Sequence, residues 1–202
     1  METDFSESEA PEAENTATQP AGDMSTAVQR FSAYLRSSWP WVALVTVIVA
    51  VACVLRFWEL GQHSLWLDEL FSANATASGP FAAIRITAGD TNPPLYYVLQ
   101  AVIGPFLGRG EWALRAMPAL AGVLSTVVIY LAGRDLFDRP TGAWAASLFA
   151  VSALGIQYAQ EARMYSLLLL FAALALWTFA RLVLSPTPLR AAALGVVLAA
   201  MA

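Results

Sequence analysis

Long apolar runs, separated by short polar segments, make up most of the chain. A helix needs about 20 apolar residues to cross the hydrocarbon core of a bilayer. Runs of this kind predict four complete transmembrane helices and the start of a fifth near residue 189; the four lie at 39–57, 112–133, 141–159 and 164–184. We therefore expect an all-α, polytopic transmembrane helical protein, with 37–202 forming the N-terminal part of its transmembrane domain.

The segment between the first two runs, 58–111, has a different pattern, because polar residues interrupt it repeatedly. In the stretch LWLDELFS, Leu67, Leu70 and Phe71 share one face of a helix, which predicts a short amphipathic helix. The run 94–107 is short for a span and contains Gly104-Pro105, which suits an interfacial or re-entrant helix better. We expect juxtamembrane helices here, between spans one and two.

The distribution of basic residues orients the chain. Cytoplasmic segments carry an excess of Lys and Arg, and all eleven basic residues here are Arg. If 94–107 lies on the outer surface, six of them fall on the cytoplasmic side: Arg30, Arg36, Arg134, Arg139, Arg181 and Arg190. If 94–107 spans the membrane instead, Arg134 and Arg139 move outside. The first arrangement predicts a multi-pass protein of the cell membrane, with a cytoplasmic N-terminus and an extracytoplasmic 58–111.

The first residues are acidic and poor in apolar side chains. Seven of the fifteen Asp and Glu residues lie in the first 23 positions, which contain no basic residue, so the net charge of −4 comes from this segment. Such a composition cannot bury enough apolar surface to fold, so 1–36 is predicted to be a disordered cytoplasmic tail. No basic patch is present, which argues against nucleic acid as a partner.

Asp68-Glu69 is the first candidate for chemistry, because two adjacent carboxylates beside a bilayer are costly unless they face water or a ligand. A solvated pair on a surface helix is the ordinary explanation. Three other segments would lie on the same outer face: GDTNPPLYY, GEWALRAMPAL and YAQEARMYSLL. Their candidate substrate contacts, besides Glu69, are Asn92, Tyr96, Tyr97, Arg115, Glu161, Arg163 and Tyr165.

Arg115 has two explanations. It follows Glu111 by four residues, which is the spacing of a local ion pair on one helix face. It could instead present its guanidinium to a phosphate, which it would bind through a bidentate fork. The ordinary explanation for Glu161 and Arg163 is interfacial placement with the polar ends in water. Together, these acids and arginines suit a charged, lipid-linked substrate.

In this order and spacing, LWLDELFS, NPPLYY, EWALRAMPAL and YAQEARMYSLLLL resemble the GT-C superfamily of membrane glycosyltransferases. The resemblance covers roughly 40–185 and is to the branch of protein mannosyltransferases and aminoarabinose transferases (glycosyltransferase family 39-like). It implies a polyprenyl-phosphate sugar donor, an acceptor that is a protein, lipid or glycan, and transfer on the extracytoplasmic side of the bilayer, usually with inversion.

The resemblance also implies roles for individual residues. Asp68 corresponds to the general base, Glu69 to its usual neighbour, Glu161 to a second acidic position, and Arg115 to an arginine near the donor phosphate. Some members carry His or Glu where this chain has Asn92, and Asn is a poor transition-metal ligand. A divalent metal therefore stays an open question. Since members of this family have many more spans, we expect little activity from these 202 residues alone.

Two alternatives stay open. The charged residues could line the polar path of a transporter or channel, for which ionisable residues inside the spans would be the signal. The chain could also be a non-catalytic membrane fragment. The apolar runs are nearly free of charge, and the charged residues cluster outside them, which favours chemistry at the membrane surface.

Overall fold

A computed structural model describes the backbone of residues 24–89, 92–108 and 110–201, and the side chains of these ranges from Trp39 onward. Residues 1–23 of the predicted tail lie outside the described residues. The first helix begins at Met24, inside the range predicted as tail. The chain divides into two compact units, Met1–Trp39 and Pro40–Ala202. The account below concerns the second unit.

The described residues are helical throughout, with no strand among them, which confirms the all-α prediction. The helices are α1 (Met24–Phe57), α2 (Leu67–Ala77), α3 (Pro80–Thr87), α4 (Pro94–Leu107), α5 (Glu111–Leu136), α6 (Arg139–Ala150), α7 (Ala153–Ala159), α8 (Tyr165–Leu184) and α9 (Pro188–Ala199). Three stretches are long and apolar enough to cross a membrane: Trp39–Phe57, α5 and α8. Their ends lie within a few residues of three predicted spans.

Helix α5 is the centre of the fold. It packs against α6, α7 and α8, and 67% of its most apolar stretch is buried, against 6% for α8. Small residues allow the closest approach, since a Cβ added to Gly142 on α6 would lie 2.6 Å from the Tyr130 carbonyl oxygen on α5. Ile48 and Ala52 of α1 form an apolar cluster with Tyr130 of α5 and with buried alanines of α6.

The predicted third span, 141–159, is two helices rather than one. Helices α6 and α7 meet at a bend of 61°, and the Ser152 hydroxyl caps α7 by accepting from the Gly155 amide. The fully buried Arg56 of α1 donates to the carbonyls of Phe149 and Ala150 at this bend, near the end of α6, where carbonyls lack full helical pairing. A Cβ at Gly122 would lie 2.8 Å from Arg56 Nε, so glycine makes room for this arginine.

The three helices between the first two spans form a small cluster of their own. Helices α2, α3 and α4 contact one another, and α4 also contacts α5. Helix α4 coincides with the apolar run 94–107, has Pro105 inside it, and is shorter than the spanning helices. This cluster holds the acidic pair at one end of α5.

Candidate active site

The first turn of α2 carries both carboxylates of the acidic pair. Trp66 is the N-cap residue, and Asp68 and Glu69 follow in the first turn, where negative charge is favoured by the helix dipole. The Glu69 side chain reaches back to accept from the Trp66 amide at 3.4 Å, which is one half of a capping box. The local sequence therefore specifies where α2 begins, and the side chains of Asp68 and Glu69 point in different directions from it.

Glu69 points into the protein and is fully buried. Its two oxygens accept from Arg115 Nε at 2.8 Å and from Arg115 Nη2 at 2.6 Å, a bidentate pair between α2 and α5. The Ala162 amide donates to the same carboxylate at 2.7 Å. One side chain therefore joins α2, α5 and the turn between α7 and α8.

The electrostatics of Glu69 favour its ionised form. Burial on its own would raise the pKa of this carboxyl, but the hydrogen bonds from Arg115 and the Ala162 amide, with the charge of Arg115, bring the pKa below its ordinary value. A carboxylate that is both buried and permanently charged is costly without partners. Glu69 has those partners, which suits a structural role.

Arg115 has all its donors engaged by the protein. Besides its two bonds to Glu69, it donates to the carbonyls of Leu60 at 3.1 Å, His63 at 2.8 Å and Ser64 at 3.4 Å. A guanidinium has five N–H groups, and these contacts use every one. The predicted contact with a donor phosphate stays a prediction, but the geometry argues for a different role: Arg115 holds the segment after α1 against α2. Its partner is Glu69, not Glu111.

Asp68, by contrast, is accessible. Its side chain is 50% exposed, and the nearest cation is Arg163, whose Nη2 lies 3.8 Å from Asp68 Oδ2. Arg163 also donates from Nη1 to the Asp68 carbonyl at 3.3 Å. Arg163 therefore lies beside the Asp68 carboxylate without enclosing it, and this carboxylate can still receive a proton from a second molecule.

Arg163 is a buried cation with spare capacity. It is 8% exposed, and its Nε has no hydrogen-bond partner among the described residues. Burial alone would lower the pKa of Arg163, but a hydrogen bond with Tyr165 and the charge of Asp68 raise it, so the group stays cationic. Its guanidinium also lies 5.7 Å from the ring centre of Tyr165.

A cavity of about 500 Å³ lies beside the buried pair. Its wall is formed by the segment after α1, by α7, and by the side chains of Glu69, Arg115 and Glu161. This volume is within the range of small-molecule sites in proteins, about 300–1,000 Å³. Asp68 and Arg163 are not among the residues that line this cavity. Each lies close in sequence to one that does, Asp68 beside Glu69 and Arg163 two residues after Glu161.

Glu161 is a lining carboxylate with fewer hydrogen-bond partners than Glu69. Its one hydrogen bond in the described structure comes from the Gln157 amide at 3.3 Å. Burial raises the pKa of Glu161 above its ordinary value, and the negative charges of Glu69 and Asp68 act in the same direction. The site thus holds two carboxyls with opposite tendencies, since Glu69 is kept ionised while Glu161 takes up a proton more readily. Such divergence is typical of functional sites.

The cavity wall also contains residues that the sequence did not indicate. Gln160 donates to the carbonyls of Leu55 and Trp58, closing the end of α1. Glu59, directly after the anchored Trp58, has a φ of 55°, which is uncommon for a residue other than glycine. Its side chain lines the cavity. No pattern marks Glu59 or Gln160, because their roles depend on carbonyls that a distant helix brings near.

Three predicted contacts lie elsewhere. Tyr96 and Tyr97 are 1% and 0% exposed and pack edge to face, 5.1 Å apart, in the core of the α2–α4 cluster. Apolar residues of α2 and α3 bury both rings. Asn92 is half-buried just before Pro93 and does not line the cavity. Their predicted contacts with substrate stay predictions, which this burial does not favour.

No group of three or more His, Cys, Asp or Glu side chains within the described ranges could hold a metal ion. Asp90 of the second outer segment lies outside those ranges. The oxygens of Glu69 are occupied by Arg115 and by the Ala162 amide, which do not fit a metal centre.

Comparison with known families identifies the fold that carries this site. The family model described as dolichyl-phosphate-mannose-protein mannosyltransferase matches residues 91–202, more than half of the chain. The chain belongs to this family. The matched region includes Arg115, Glu161, Arg163 and Tyr165, while α2 with its acidic pair lies before it. With its apolar spanning helices, this mannosyltransferase-family chain is a membrane protein.

A curated relative agrees with this assignment. The Bacillus subtilis (strain 168) protein named "Putative mannosyltransferase YkcB" is 26% identical to the chain over 143 residues. The match covers 64% of this chain and 20% of the relative, so the chain spans about a fifth of the relative's length. No solved structure matches the chain significantly.

Proposed function

We propose that the protein transfers a sugar from a polyprenyl-phosphate-linked donor to an acceptor hydroxyl at the extracytoplasmic surface of the cell membrane, with Asp68 as general base. The observation that carries this proposal is the pairing of an accessible carboxylate, Asp68, with a buried arginine that has an unused donor, Arg163. The family and the relative's printed name support a glycosyl transfer.

The chemistry needs a proton acceptor and a stabilised leaving group. Asp68 takes the proton of the acceptor hydroxyl as its oxygen bonds to the anomeric carbon of the sugar. The bond from that carbon to the phosphate oxygen breaks at the same time, and the electron pair leaves with the polyprenyl phosphate. Attack opposite the departing phosphate inverts the anomeric centre. A positioned base of this kind contributes about 10²–10⁴-fold to a rate.

The leaving phosphate is already an anion, so it needs positive charge rather than a general acid. Arg163 supplies that charge, because its Nε has no acceptor within the described structure and Asp68 takes up only part of its capacity. Arg115 is less suited to this task, since its donors are saturated. We therefore assign the phosphate contact to Arg163 and a positioning role to Arg115.

Glu161 and the 500 Å³ cavity suit the sugar. Glu161 offers a carboxyl group to a sugar hydroxyl, and burial raises its pKa, so it takes up a proton more readily than an exposed glutamate. Gln157 and Gln160 add amide groups to the same wall. A lining that mixes amides, carboxyls and apolar side chains is suited to a neutral ring carried on a charged lipid.

The test is a label-transfer assay in membranes that contain the full-length protein, with a polyprenyl-phosphate sugar labelled in the sugar. Asp68→Asn should abolish transfer while membrane insertion is kept. Asp68→Glu, which retains the base, should keep measurable activity, and Glu111→Gln, on an exposed acid, serves as the matched control.

Near-normal turnover in Asp68→Asn would refute the assignment of the base. Absence of transfer in the wild type, together with uptake of the labelled sugar or of ions into vesicles, would favour the transporter interpretation instead. Transfer that depends on Arg115 but not on Arg163 would reverse the roles assigned to the two arginines.

A further inference from the structure

A second cavity lies among α2, α4 and the first turns of α5. Its volume is about 170 Å³, and it shares no lining residue with the cavity beside Glu161. Small and uncharged side chains and glycines surround it, among them Asn74, Thr76, Gln100, Gly104, Gly108 and Leu114. The proposed transfer reaction makes no use of this space.

Gln100 is the unusual member of this wall. It is 1% exposed, and neither its Nε2 nor its Oε1 has a hydrogen-bond partner in the described part of the chain. Buried amides in native proteins are nearly always paired, because burial removes their bonds to water. It lies within the apolar sequence PLYYVLQAVIGPFL, where a hydrophobic side chain would satisfy the packing alone. An occupant of the cavity is the natural partner of this amide.

The lining restricts the chemistry of that occupant. The described residues that line this cavity carry no charged side chain, so an ion bound among them would lose its hydration without a counter-charge. The occupant must both donate and accept hydrogen bonds, because the amide of Gln100 offers both functions. Hydroxyl groups do so, and the Thr76 hydroxyl, which donates to the Ser72 carbonyl, keeps lone pairs for a further donor.

Size and shape narrow the choice. A volume of 170 Å³ corresponds to about six water molecules, and it is below the usual range for drug-sized ligands. A sugar ring offers hydroxyls along its edge and C–H groups on its faces, and the lining offers the amides of Gln100 and Asn74 for the first and the apolar side chains of Ala101 and Leu114 for the second. We propose that this cavity binds a single uncharged sugar ring through Gln100. The proposal does not depend on Asp68 chemistry, since the two cavities are separate.

The experiment measures binding of methyl α-mannopyranoside to the purified protein in detergent micelles, by saturation-transfer NMR and calorimetry. Gln100→Leu should weaken binding by about tenfold or more (about 1.4 kcal/mol), and it should fold, because it removes only unpaired polar groups. Gly104→Leu should also weaken binding by occupying the cavity. A Cβ at Gly104 meets nothing within 4 Å, so this side chain can enter the open space.

A matched control keeps the result specific. Gly195→Leu makes the same change on α9, where a Cβ also meets nothing within 4 Å, and should leave the affinity unchanged.

Failure of the wild type to bind the sugar, which would mean that water alone fills the cavity, would overturn the proposal. Wild-type affinity in Gln100→Leu would overturn it as well. Neither of these outcomes bears on the label-transfer test of Asp68.

Discussion

Two neighbouring carboxylates, each beside an arginine, have opposite surroundings. Glu69 is fully buried and meets Arg115 through two bonds of 2.8 and 2.6 Å, with a third bond from the Ala162 amide. Asp68 is half exposed and lies 3.8 Å from Arg163, whose Nε has no partner in the described structure. Consecutive residues on a helix point about 100° apart, and here that angle separates the protein interior from the accessible surface.

The difference shows how to divide residues that look alike in the sequence. The pair with every donor and acceptor matched, Glu69–Arg115, has no capacity left for a substrate, and its role is to join α2, α5 and the segment after α1. The pair with spare capacity, Asp68–Arg163, can exchange a proton and contact an anion. We therefore separate the proposed structural pair from the proposed reactive pair by whether their hydrogen bonds are saturated, more than by charge or by position in a motif.

The strongest way to test this comparison is to make the same chemical change at both carboxylates. Glu69→Gln leaves Arg115 buried without its counter-charge and should reduce stability by about 3–5 kcal/mol. Asp68→Asn, at the half-exposed position, should cost less than about 1 kcal/mol. Thermal unfolding in detergent, followed by tryptophan fluorescence, measures both. Equal destabilisation by the two changes would contradict the division into a structural and a chemical pair.

The two arginines offer a second comparison. Arg163→Met should lower turnover in the label-transfer assay by about 10²–10³-fold, because the departing phosphate loses a cation where negative charge develops. Protein yield and thermal stability should change much less than in Arg115→Met, which leaves Glu69 and three loop carbonyls without donors. A purely structural role for Arg163 would appear instead as a loss of stability with turnover per folded molecule unchanged.

The pH dependence of stability separates the pairs further. Because the pKa of Glu69 is lowered in the folded protein, the unfolded chain binds its proton at higher pH. The stability from Glu69 is therefore present above its ordinary pKa, about 4.3, and is lost as the pH falls through the folded value. The difference in unfolding temperature between the wild type and Glu69→Gln should shrink as pH falls below about 4. A difference that is constant with pH would contradict this assignment.

Glu111→Gln should have the smallest effect, within about 0.5 kcal/mol. The spacing of Glu111 and Arg115 suggests a local ion pair, but Arg115 is engaged by Glu69 and by loop carbonyls, and Glu111 is exposed. Thermal unfolding measures the change. A cost near that of Glu69→Gln would mean that Glu111 is the true partner of Arg115.

The sequence was sufficient for the architecture because spanning helices are specified locally. A run of about 20 apolar residues must be helical in a bilayer, since its backbone has no other source of hydrogen bonds. The predicted runs at 39–57, 112–133 and 164–184 accordingly match long apolar helices, and the run 94–107 matches α4. The break between α6 and α7 was not predicted, because Arg56, which satisfies its free carbonyls, comes from a helix far away in the chain.

The candidate site depended both on the sequence and on the tertiary structure. The sequence by itself determined which charged residues gather at one end of the helices, and Asp68, Glu69, Arg115, Glu161 and Arg163 do lie there together. Only the tertiary structure decided which of them is saturated and which is free to act, because hydrogen bonds from Arg115, Ala162 and Gln160 join positions 46 to 105 residues apart in the chain. Partners at such separations leave no periodic pattern, so neither the burial of Tyr96 and Tyr97 nor the cavity around Gln100 could be predicted from the order of the residues.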